Sequence, residues 1–551
     1  MKDNKIFLRI STLMLSTLCL LTVGCNKKTS SQSESSIPEE VYHIERPTFN
    51  GDFTTYEVGP MPSGINMTYY SDIYSRGFSW VTDKDTVDTE LYLVQSDKGE
   101  QADFSNAEAI IGESHGITYE SGGNVVSKDG WFVTKKGSSN GYSLELVDHK
   151  VHVENLEKGK AYSYKIGSEA GYSYGAFIVE KEQAKSITAI HLSDAQTKVA
   201  SKLEYWRNTY MHAVTKAGDG LDLTLYNGDQ FDQNMGKVNS SDSNSPNRFL
   251  RYTKALDVIQ DYKFNTPYMT SSGNHEPSSP YCQYFLSDIK DAVMDDEGLY
   301  YSFDYDYAHF VVLNTNSIKD AQIDWLKSDL DNASDAKWKV VMMHISPYSS
   351  GDHSNKSENQ SIVEKLTPIF SSKHVDLVLQ AHDHTYNKTL PYRWDAAGYT
   401  TTYDNDEVVN LSVEKETLND VIYDKNPQGT YYVTTGAAGH RNGADEADGI
   451  WAEVTYDESG NAVGLDSNKT FLNNKYKIQM GTLTQTNQYT PCSWESHACD
   501  QTYNEGELAT GNVNAAMFGV LDITESTLAY HVYTVNGETV KLFDTLDVLK
   551  N

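Results

Sequence analysis

The sequence predicts two architectures in succession, an all-β sandwich over residues 45–182 and an α/β domain over residues 183–551. Short strand-like runs between turn residues indicate the first. Beyond residue 183, apolar strand-like runs alternate with helical spacing, which is typical of α/β architecture. Polar residues recur just past the carboxyl ends of these later strands, where open α/β sheets place their sites. We therefore expect the chemistry of this chain in its second domain.

Residues 1–24 have the features of an export signal peptide, with a basic start and then an apolar run too short for a transmembrane anchor. The end of that run, Leu21-Thr-Val-Gly-Cys25, resembles a bacterial lipoprotein box, although Thr22 stands where the box usually has Leu or Val. We expect an exported protein whose lipidated Cys25 anchors it to the outer face of a bacterial cell membrane. The alternative is an ordinary secretory signal that is cut nearby. The Ser-rich residues 25–44 would form a flexible tether.

The predicted sandwich rests on strand-like runs such as Phe78-Ser-Trp-Val and Leu91-Tyr-Leu-Val. The segment from Leu156 to Tyr164 resembles the tyrosine-corner region of fibronectin type III domains, where a Tyr hydroxyl ties a strand to the preceding turn. The sequence does not group acids and histidines here into a catalytic set. This domain is therefore predicted to be structural or to serve in docking.

The predicted α/β domain starts with a strand-like run over residues 187–193, and a second run over residues 221–226 leads into Asn227-Gly-Asp229. Between them, apolar residues recur at helical spacing. Residues 441–513 show little apolar periodicity and are interpreted as an insertion. Two late strand-like runs, 517–523 and 528–533, are expected to rejoin the sheet.

The composition excludes some classes of function. There are 77 acidic against 45 basic residues, a net charge of −32, and such a surface repels nucleic-acid backbones. We therefore expect no nucleic-acid binding.

In an exported protein, Cys492 and Cys499 are a candidate disulfide. None of the five cysteines has the paired spacing of a zinc-thiolate site.

Five polar blocks carry the predicted chemistry. Asp, Asn and His supply oxygen and nitrogen ligands suited to Zn, Mn or Fe(II). Two metal ions roughly 3.5–4 Å apart need one bridging carboxylate and separate ligands on each side. Singly, each block has a simpler interpretation as a helix cap or a turn. Together and in order, they predict a two-metal centre: Ser193-Asp194-Ala195-Gln196, Asn227-Gly228-Asp229-Gln230-Phe231-Asp232, Gly273-Asn274-His275-Glu276, Met343-His344 and Ala381-His382-Asp383-His384.

In this order the blocks resemble those of calcineurin-like metallophosphoesterases, and the preceding sandwich makes the purple acid phosphatase branch the best match. The resemblance implies a β-sheet sandwich flanked by helices and two divalent ions, Fe, Mn or Zn. By this likeness Asp194 and His384 would bind the first metal, and Asp229 would bridge both. The second metal would be bound by three further residues, Asn274, His344 and His382.

The same likeness assigns two catalytic histidines. His275 follows a metal ligand and would contact the phosphate or assist proton transfer. His353 lies nine residues after His344 and is similar to the family's second substrate histidine. His440 and Arg441, after a strand-like run, would grip phosphate or belong to a surface loop.

Two residues depart from the family's pattern. Purple acid phosphatases have a metal-binding Tyr three residues after the bridging Asp, and here that residue is Asp232. Without tyrosinate, an all-divalent and colourless centre is expected. Gln196 stands where many relatives have a metal-binding His. Both Gln196 and Asp232 would either bind metal or hydrogen-bond around it.

The resemblance implies a hydrolase that cleaves small phosphate esters, foremost phosphomonoesters, by attack of a metal-bound hydroxide, and the export signal makes it extracytoplasmic. One alternative is a phosphodiesterase or nucleotide hydrolase at the same site. Another, from a different class, is a non-catalytic surface lipoprotein that keeps the fold for binding.

Overall fold

Two pairs of large β-sheets dominate the part of the chain that the computed structural model describes. The described residues are 41–43, 58–120, 124–127, 143–180, 186–197, 200–230, 248–276, 287–295, 298–348, 357–389, 391–394, 408–410, 413–439, 454–456, 462–465, 492–493 and 516–551. Several predictions lie outside them: the signal peptide 1–24, Cys25, Asp232, His353, His440, Arg441, Cys499 and most of the insertion 441–513.

The first described strand, β1 (Val41–His43), corrects the predicted tether. It pairs antiparallel with the C-terminal part of the chain, Val41 opposite Lys541 and His43 opposite Thr539. Residues 41–43 therefore belong to a folded sheet, and a tether over all of residues 25–44 is wrong at its C-terminal end. The sequence does not reveal this pairing because the partner strand lies almost 500 residues away.

The N-terminal sandwich has a five-stranded sheet in the order β2-β3-β8-β6-β7 and a four-stranded sheet in the order β10-β9-β4-β5. Phe78 and Trp80 from the first sheet pack with Ile166 and Phe177 from the second in one buried cluster. The predicted all-β sandwich is confirmed. Its strands are β2 (Ser63–Thr68), β3 (Arg76–Asp83), β4 (Glu90–Gln95), β5 (Ile110–Ile111), β6 (Glu113–Glu120), β7 (Asn124–Ser127), β8 (Ser143–Val153), β9 (Ala161–Ser168) and β10 (Gly171–Ile178).

The segment that resembles a tyrosine corner has the expected tie. The backbone N–H of Glu157 donates to the Tyr162 hydroxyl oxygen at 3.2 Å. This bond holds the start of β9 to the turn before it. Membership of the fibronectin type III class stays a prediction.

The α/β domain follows with strands and helices in alternation. Its helices are α1 (Ala200–Ala217), α2 (Arg248–Asp257), α3 (Gln260–Lys263), α4 (Asp320–Asn332) and α5 (Ser357–Ser372). Its strands up to the predicted insertion are β11 (Ile187–Leu192), β12 (Leu223–Tyr226), β13 (Tyr268–Thr270), β14 (Val293–Asp295), β15 (Gly298–Tyr305), β16 (Ala308–Leu313), β17 (Trp338–Ile345), β18 (Leu377–Ala381), β19 (Thr385–Lys388), β20 (Tyr392–Trp394), β21 (Val408–Asn410), β22 (Glu414–Leu418), β23 (Val421–Lys425) and β24 (Tyr431–Thr435).

Three short strands fall within the predicted insertion and three long ones end the chain. The short strands are β25 (Val454–Tyr456), β26 (Ala462–Leu465) and β27 (Cys492–Ser493). The last three are β28 (Ala516–Ile523), β29 (Thr527–Asn536) and β30 (Thr539–Leu549). Strand β28 pairs with β11, so the late strands rejoin the sheet as expected.

Two sheets stack face to face in this domain. One has the order β13-β12-β11-β28-β29-β30-β23-β22, with β1 beside β30; the other has the order β14-β15-β16-β17-β18-β24-β19-β27. Leu225 and Met269 of the first pack with Phe310 and Val340 of the second in a common core.

Helices cover the outer faces of both sheets. Trp206 of α1 and Leu256 of α2 pack with the first sheet, and Leu326 of α4 and Phe370 of α5 pack with the second. The predicted β-sheet sandwich flanked by helices is therefore confirmed. Among the described residues, no helix combines the length and apolar character needed to cross a membrane.

Polar bonds fasten the N-terminal sandwich to the α/β domain. The Asp257 carboxylate accepts hydrogen bonds from the Ser63 hydroxyl at 2.7 Å and the Gly64 N–H at 2.6 Å. The Lys263 ammonium, which is almost fully buried, donates to the Ile65 carbonyl at 2.7 Å. Such bonds between buried and half-buried groups fix the relative placement of the two domains.

A histidine between two aspartates ties α4 to the sheet beneath it. His309 contacts Asp304 at 2.7 Å through Nδ1 and Asp329 at 2.9 Å through Nε2, and its side chain is 5% exposed. Burial lowers the pKa of His309, but the two carboxylates outweigh burial and raise this pKa to about 9. A raised folded-state pKa means that protonated His309 stabilises the fold fully below the unfolded value, and that this contribution is lost as pH rises through 9.

We expect His309→Asn to lower the free energy of unfolding by about 2–3 kcal/mol at mildly acidic pH. Most of this loss is assigned to the contact with Asp329, because the Asp304 side chain is 80% exposed and solvent screens its charge. The deficit should shrink as the pH is raised beyond the His309 pKa. Urea unfolding of both proteins across this range measures it. His531→Asn, at the more exposed contact with Asp547, is the matched control. A deficit that does not change with pH would contradict this assignment.

Candidate metal centre

The predicted ligands lie at the carboxyl ends of parallel strands from both stacked sheets. Strands β11, β12 and β13 run parallel in the first sheet, and β16, β17, β18 and β24 run parallel in the second. Asp194, Asp229 and Asn274 follow the first three strands, whereas His344 is the penultimate residue of β17 and His382 follows β18. The two sheet edges meet, so side chains distant in sequence converge at one place.

Four donor atoms form the tighter half of the site. The Asn274 side-chain oxygen lies 2.8 Å from both His344 Nε2 and His382 Nδ1. Asp229 Oδ1 lies 3.4 Å from His344 Nε2. One ligand atom each from Asp229, His344 and His382 lies within 4.8 Å of the others. These are the residues that the family likeness assigned to the second metal.

The chemistry of these donors fits a cation. His344 Nδ1 lies 2.6 Å from the Asn227 carbonyl, which only accepts, so the Nδ1 proton is committed there. In a neutral imidazole, Nε2 then carries a lone pair. That lone pair faces two further acceptors, the Asn274 oxygen and the Asp229 carboxylate. Three electron-pair donors that face one another require either an extra proton or a metal ion between them.

The other half of the site is formed by Asp194 and His384. Asp194 Oδ1 lies 3.4 Å from His384 Nε2, and Asp194 Oδ2 accepts a hydrogen bond from the His382 backbone N–H at 3.3 Å. The Gln196 side-chain amide donates to Asp229 Oδ2 at 3.2 Å. Gln196 therefore touches the predicted bridging carboxylate.

His275 lies against the same carboxylate. Its backbone N–H donates to Asp229 Oδ1 at 2.8 Å, and its Nε2 lies 3.6 Å from Asp229 Oδ2. The His275 side chain is 14% exposed, so solvent and small molecules can reach it. Of the predicted catalytic groups, this is the one within the described residues.

The two central side chains shift each other's protonation. Burial lowers the pKa of His344, but the Asp229 carboxylate outweighs burial and raises it to about 10. Burial raises the pKa of Asp229, yet His275 and His344 hold that pKa well below its usual value. These neighbours therefore favour the ionised form of Asp229, which suits the bridging role that the family likeness assigns to it.

Backbone strain and close packing mark the same loops. Asp194, Gln196, Asp229 and His382 all have positive φ, between 42° and 73°. Non-glycine residues adopt this region at a cost and concentrate there at functional sites. Gly273 has a different reason to be glycine, because a Cβ there would overlap Asp229 Oδ1.

Glu276 is a site residue to which the sequence analysis gave no role. Its carboxylate accepts three backbone hydrogen bonds, from Asp229 at 2.9 Å, Gln230 at 2.7 Å and Gly273 at 2.6 Å. It thus holds the Gly-Asp loop against its own Gly-Asn-His-Glu loop. Burial and the nearby Asp229 raise the pKa of Glu276 to about 7. The sequence offered one signal for this role, since Glu276 lies three residues after Gly273, a spacing at which a carboxylate can accept from the earlier backbone N–H.

The structure therefore brings together all six predicted core ligands, with Gln196 and His275 beside them. Asn227 also contributes, because its side-chain amide donates to the Leu379 carbonyl at 2.8 Å and joins the two sheets. Asp232, His353, His440 and Arg441 lie outside the described residues. Gly439, just before His440, packs so closely on Ala195 that a Cβ would overlap the Ala195 carbonyl.

We expect Glu276→Gln to disturb the site, although glutamine has nearly the same size as glutamate. One carboxylate oxygen becomes an amide N–H₂ that faces backbone N–H donors, so at least one buried donor loses its acceptor, at a cost of about 1–3 kcal/mol. Denaturant unfolding should show this loss, and equilibrium dialysis should show weaker metal binding. Glu204→Gln, exposed on α1, is the control. Unchanged stability and metal binding in Glu276→Gln would contradict the role of Glu276.

Comparison with known proteins agrees with this geometry. A family model described as calcineurin-like phosphoesterase matches residues 187–386. Human acid phosphatase type 7 is 28% identical over 326 residues, and the mouse protein is 26% identical over 322 residues. Each match covers 54% of this chain but only 65% of the relative, less than two thirds of its length.

Two further matches extend the comparison. Purple acid phosphatase 21 from Arabidopsis thaliana is 26% identical over 202 residues, 34% of this chain and 39% of that protein. The structure of a purple acid phosphatase from yellow lupin (Lupinus luteus) seeds superimposes with a TM-score of 0.56 at 14% identity, covering 89% of this chain and 75% of that one, and shows the fold. Residues 187–386 therefore match the calcineurin-like phosphoesterase family, within a chain that is similar to acid phosphatases.

Proposed function

We propose that this protein is a metal-dependent phosphoesterase that hydrolyses small phosphate esters, with phosphomonoesters as its preferred substrates. The observation that carries the proposal is the convergence of lone pairs on one point. Asn274 Oδ1 lies 2.8 Å from both His344 Nε2 and His382 Nδ1, and His344 Nε2 lies 3.4 Å from Asp229 Oδ1. The acid phosphatases among its relatives support the choice of phosphate esters as substrates.

Two divalent ions, Fe, Mn or Zn, are proposed for the site. Asp194 and His384 would hold the first, and Asn274, His344 and His382 the second, with Asp229 between them. Such ions supply an acidified water as nucleophile and neutralise charge on phosphoryl oxygens. This local positive charge is needed because the chain as a whole carries a net charge of −32, which repels a phosphate ester.

The residues around the ligands have distinct tasks. Asp229 stays ionised and fixes its neighbours through four contacts, two from His275 and one each from His344 and Gln196. His275, partly exposed beside Asp229, is proposed to bind a phosphoryl oxygen and to give a proton to the leaving oxygen. Glu276 maintains the spacing of the two loops that carry Asp229 and Asn274.

The place of action is proposed to be outside the cytoplasm. The basic start, the apolar run and Cys25 support export and lipid anchoring to a bacterial membrane.

Labelling of the expressed protein with a radioactive fatty acid, with Cys25→Ala as the control, tests the anchor. A label that persists in Cys25→Ala would contradict it.

We expect the metal-loaded protein to be colourless. Asp232 stands where purple relatives have their tyrosinate, and the described tyrosines near the site are otherwise engaged. The Tyr226 hydroxyl accepts from the Ala195 N–H at 2.9 Å, Tyr268 donates to Gln230 at 2.6 Å, and burial raises the pKa of both phenols. Visible absorption spectra of the iron-loaded protein measure this. A strong band that chelation removes would contradict an all-divalent centre.

We expect the purified protein, loaded with Mn, Zn or Fe, to hydrolyse monoesters faster than diesters across a panel of phosphate esters. Asp229→Ala and His382→Ala should each lower kcat/KM by more than about 100-fold, because loss of even an outer partner of a metal ligand costs 10–100-fold. Asp324→Asn, exposed on α4, is the matched control. Undiminished hydrolysis in both variants would refute the site, and no hydrolysis of any ester would favour a non-catalytic binding protein.

A further inference from the structure

His344 and His382 face the Asn274 side chain through different ring nitrogens. His344 presents Nε2 to the Asn274 oxygen and His382 presents Nδ1, both at 2.8 Å. The outer nitrogen of each ring points to an acceptor. For His344 this is the Asn227 carbonyl, 2.6 Å from Nδ1. For His382 it is the Glu358 carboxylate, whose Oε1 lies 3.8 Å from Nε2.

We propose that Glu358 is a positioning residue that orients His382 and strengthens its bond to the second metal. This inference rests on the proposed function and deepens it. It names a residue outside the five sequence blocks, at the start of α5, as part of the metal site.

The reason lies in the tautomers of imidazole. A neutral ring carries one proton, and that proton must be on Nε2 if Nδ1 is to offer a lone pair to a metal. An ionised carboxylate only accepts, so Glu358 selects the tautomer with the proton on Nε2. Metal-binding histidines generally donate their other N–H to such a partner, which also makes the ligand more basic. The Asn227 carbonyl does the same for His344.

The fold places Glu358 for this role. Asn359, the next residue, donates its side-chain amide to the Ser346 carbonyl at 2.6 Å, and the Ser346 hydroxyl donates to the Ala381 carbonyl at 2.6 Å. These bonds tie the first turn of α5 to the strand ends that carry His344 and His382. The distance of 3.8 Å is that of an ion-pair contact and exceeds a hydrogen bond, and the Glu358 side chain is 48% exposed.

A simpler role for Glu358 has to be separated from this one. An acidic residue in the first turn of a helix stabilises the helix through its dipole. Such a role would change the stability of α5 and leave metal affinity alone. A positioning role would change the affinity for one metal ion and leave the other unaffected.

Titration of the full chain with Zn²⁺ by calorimetry distinguishes these roles. We expect Glu358→Ala to weaken one of two zinc equivalents by 10–100-fold, with the other unchanged. Glu358→Gln, which keeps an acceptor oxygen but loses the charge, should weaken the same equivalent by less. Phosphatase activity of both variants should recover at saturating zinc. Glu364→Gln on the same helix is the charge-matched control, and His382→Ala identifies the affected equivalent.

The outcomes separate the inference from the proposed function. Two zinc equivalents with unchanged affinities in Glu358→Ala would overturn the inference and leave the proposed function intact. So would a lowered melting temperature of the zinc-free variant with unchanged zinc affinity, because that result indicates the helix dipole alone. A parent protein that binds none of Zn²⁺, Mn²⁺ and Fe²⁺ would contradict the proposed function itself, and the inference with it.

Discussion

The site depends on two buried carboxylates that belong to adjacent loops. Asp229 and Glu276 repel each other, and burial disfavours both charges. The fold compensates with donors placed on each: His275 and His344 beside Asp229, and three backbone N–H groups on Glu276. An uncompensated buried carboxylate would take up a proton instead. Because these donors come from the same loops that carry the ligands, the loops are correctly spaced only when every pair is made.

The stacking of the two sheets provides the frame for that network. Each sheet ends its parallel strands at the same edge, and neither edge alone carries a full ligand set. The Asn227 amide crosses between the sheets to the Leu379 carbonyl, while the Asn227 carbonyl receives His344. The common core, with Met269 on one side and Phe310 on the other, keeps the edges in register. The geometry of the candidate metal site is therefore coupled to the packing of the whole domain.

Electrostatics explains why so acidic a chain would concentrate positive charge in one place. Its net charge of −32 opposes the approach of an anionic substrate, and the site adds Asp194, Asp229 and Glu276 in a small buried volume. Cations bound among these groups reverse the local sign of the field. Gln196, Glu276 and Glu358 contact the predicted ligands or their loops and add no positive charge. They therefore act by orienting the ligands, and the positive charge has to come from the cations.

The sequence by itself indicated the order of architectures and the five polar blocks, because strand periodicity and polar residues at strand ends are local patterns. The roles of the six predicted core ligands came from the family likeness of those blocks. The same likeness also predicted the layering of the α/β domain, a β-sheet sandwich flanked by helices. Tertiary structure alone decided which residues support the ligands. Glu276 receives N–H groups from a loop 46 and 47 residues earlier, and Asp194 meets the His382 backbone across 188 residues. Strand β1 likewise finds its partner only at the far end of the chain. Such contacts follow from packing two sheets together, and no local pattern encodes them.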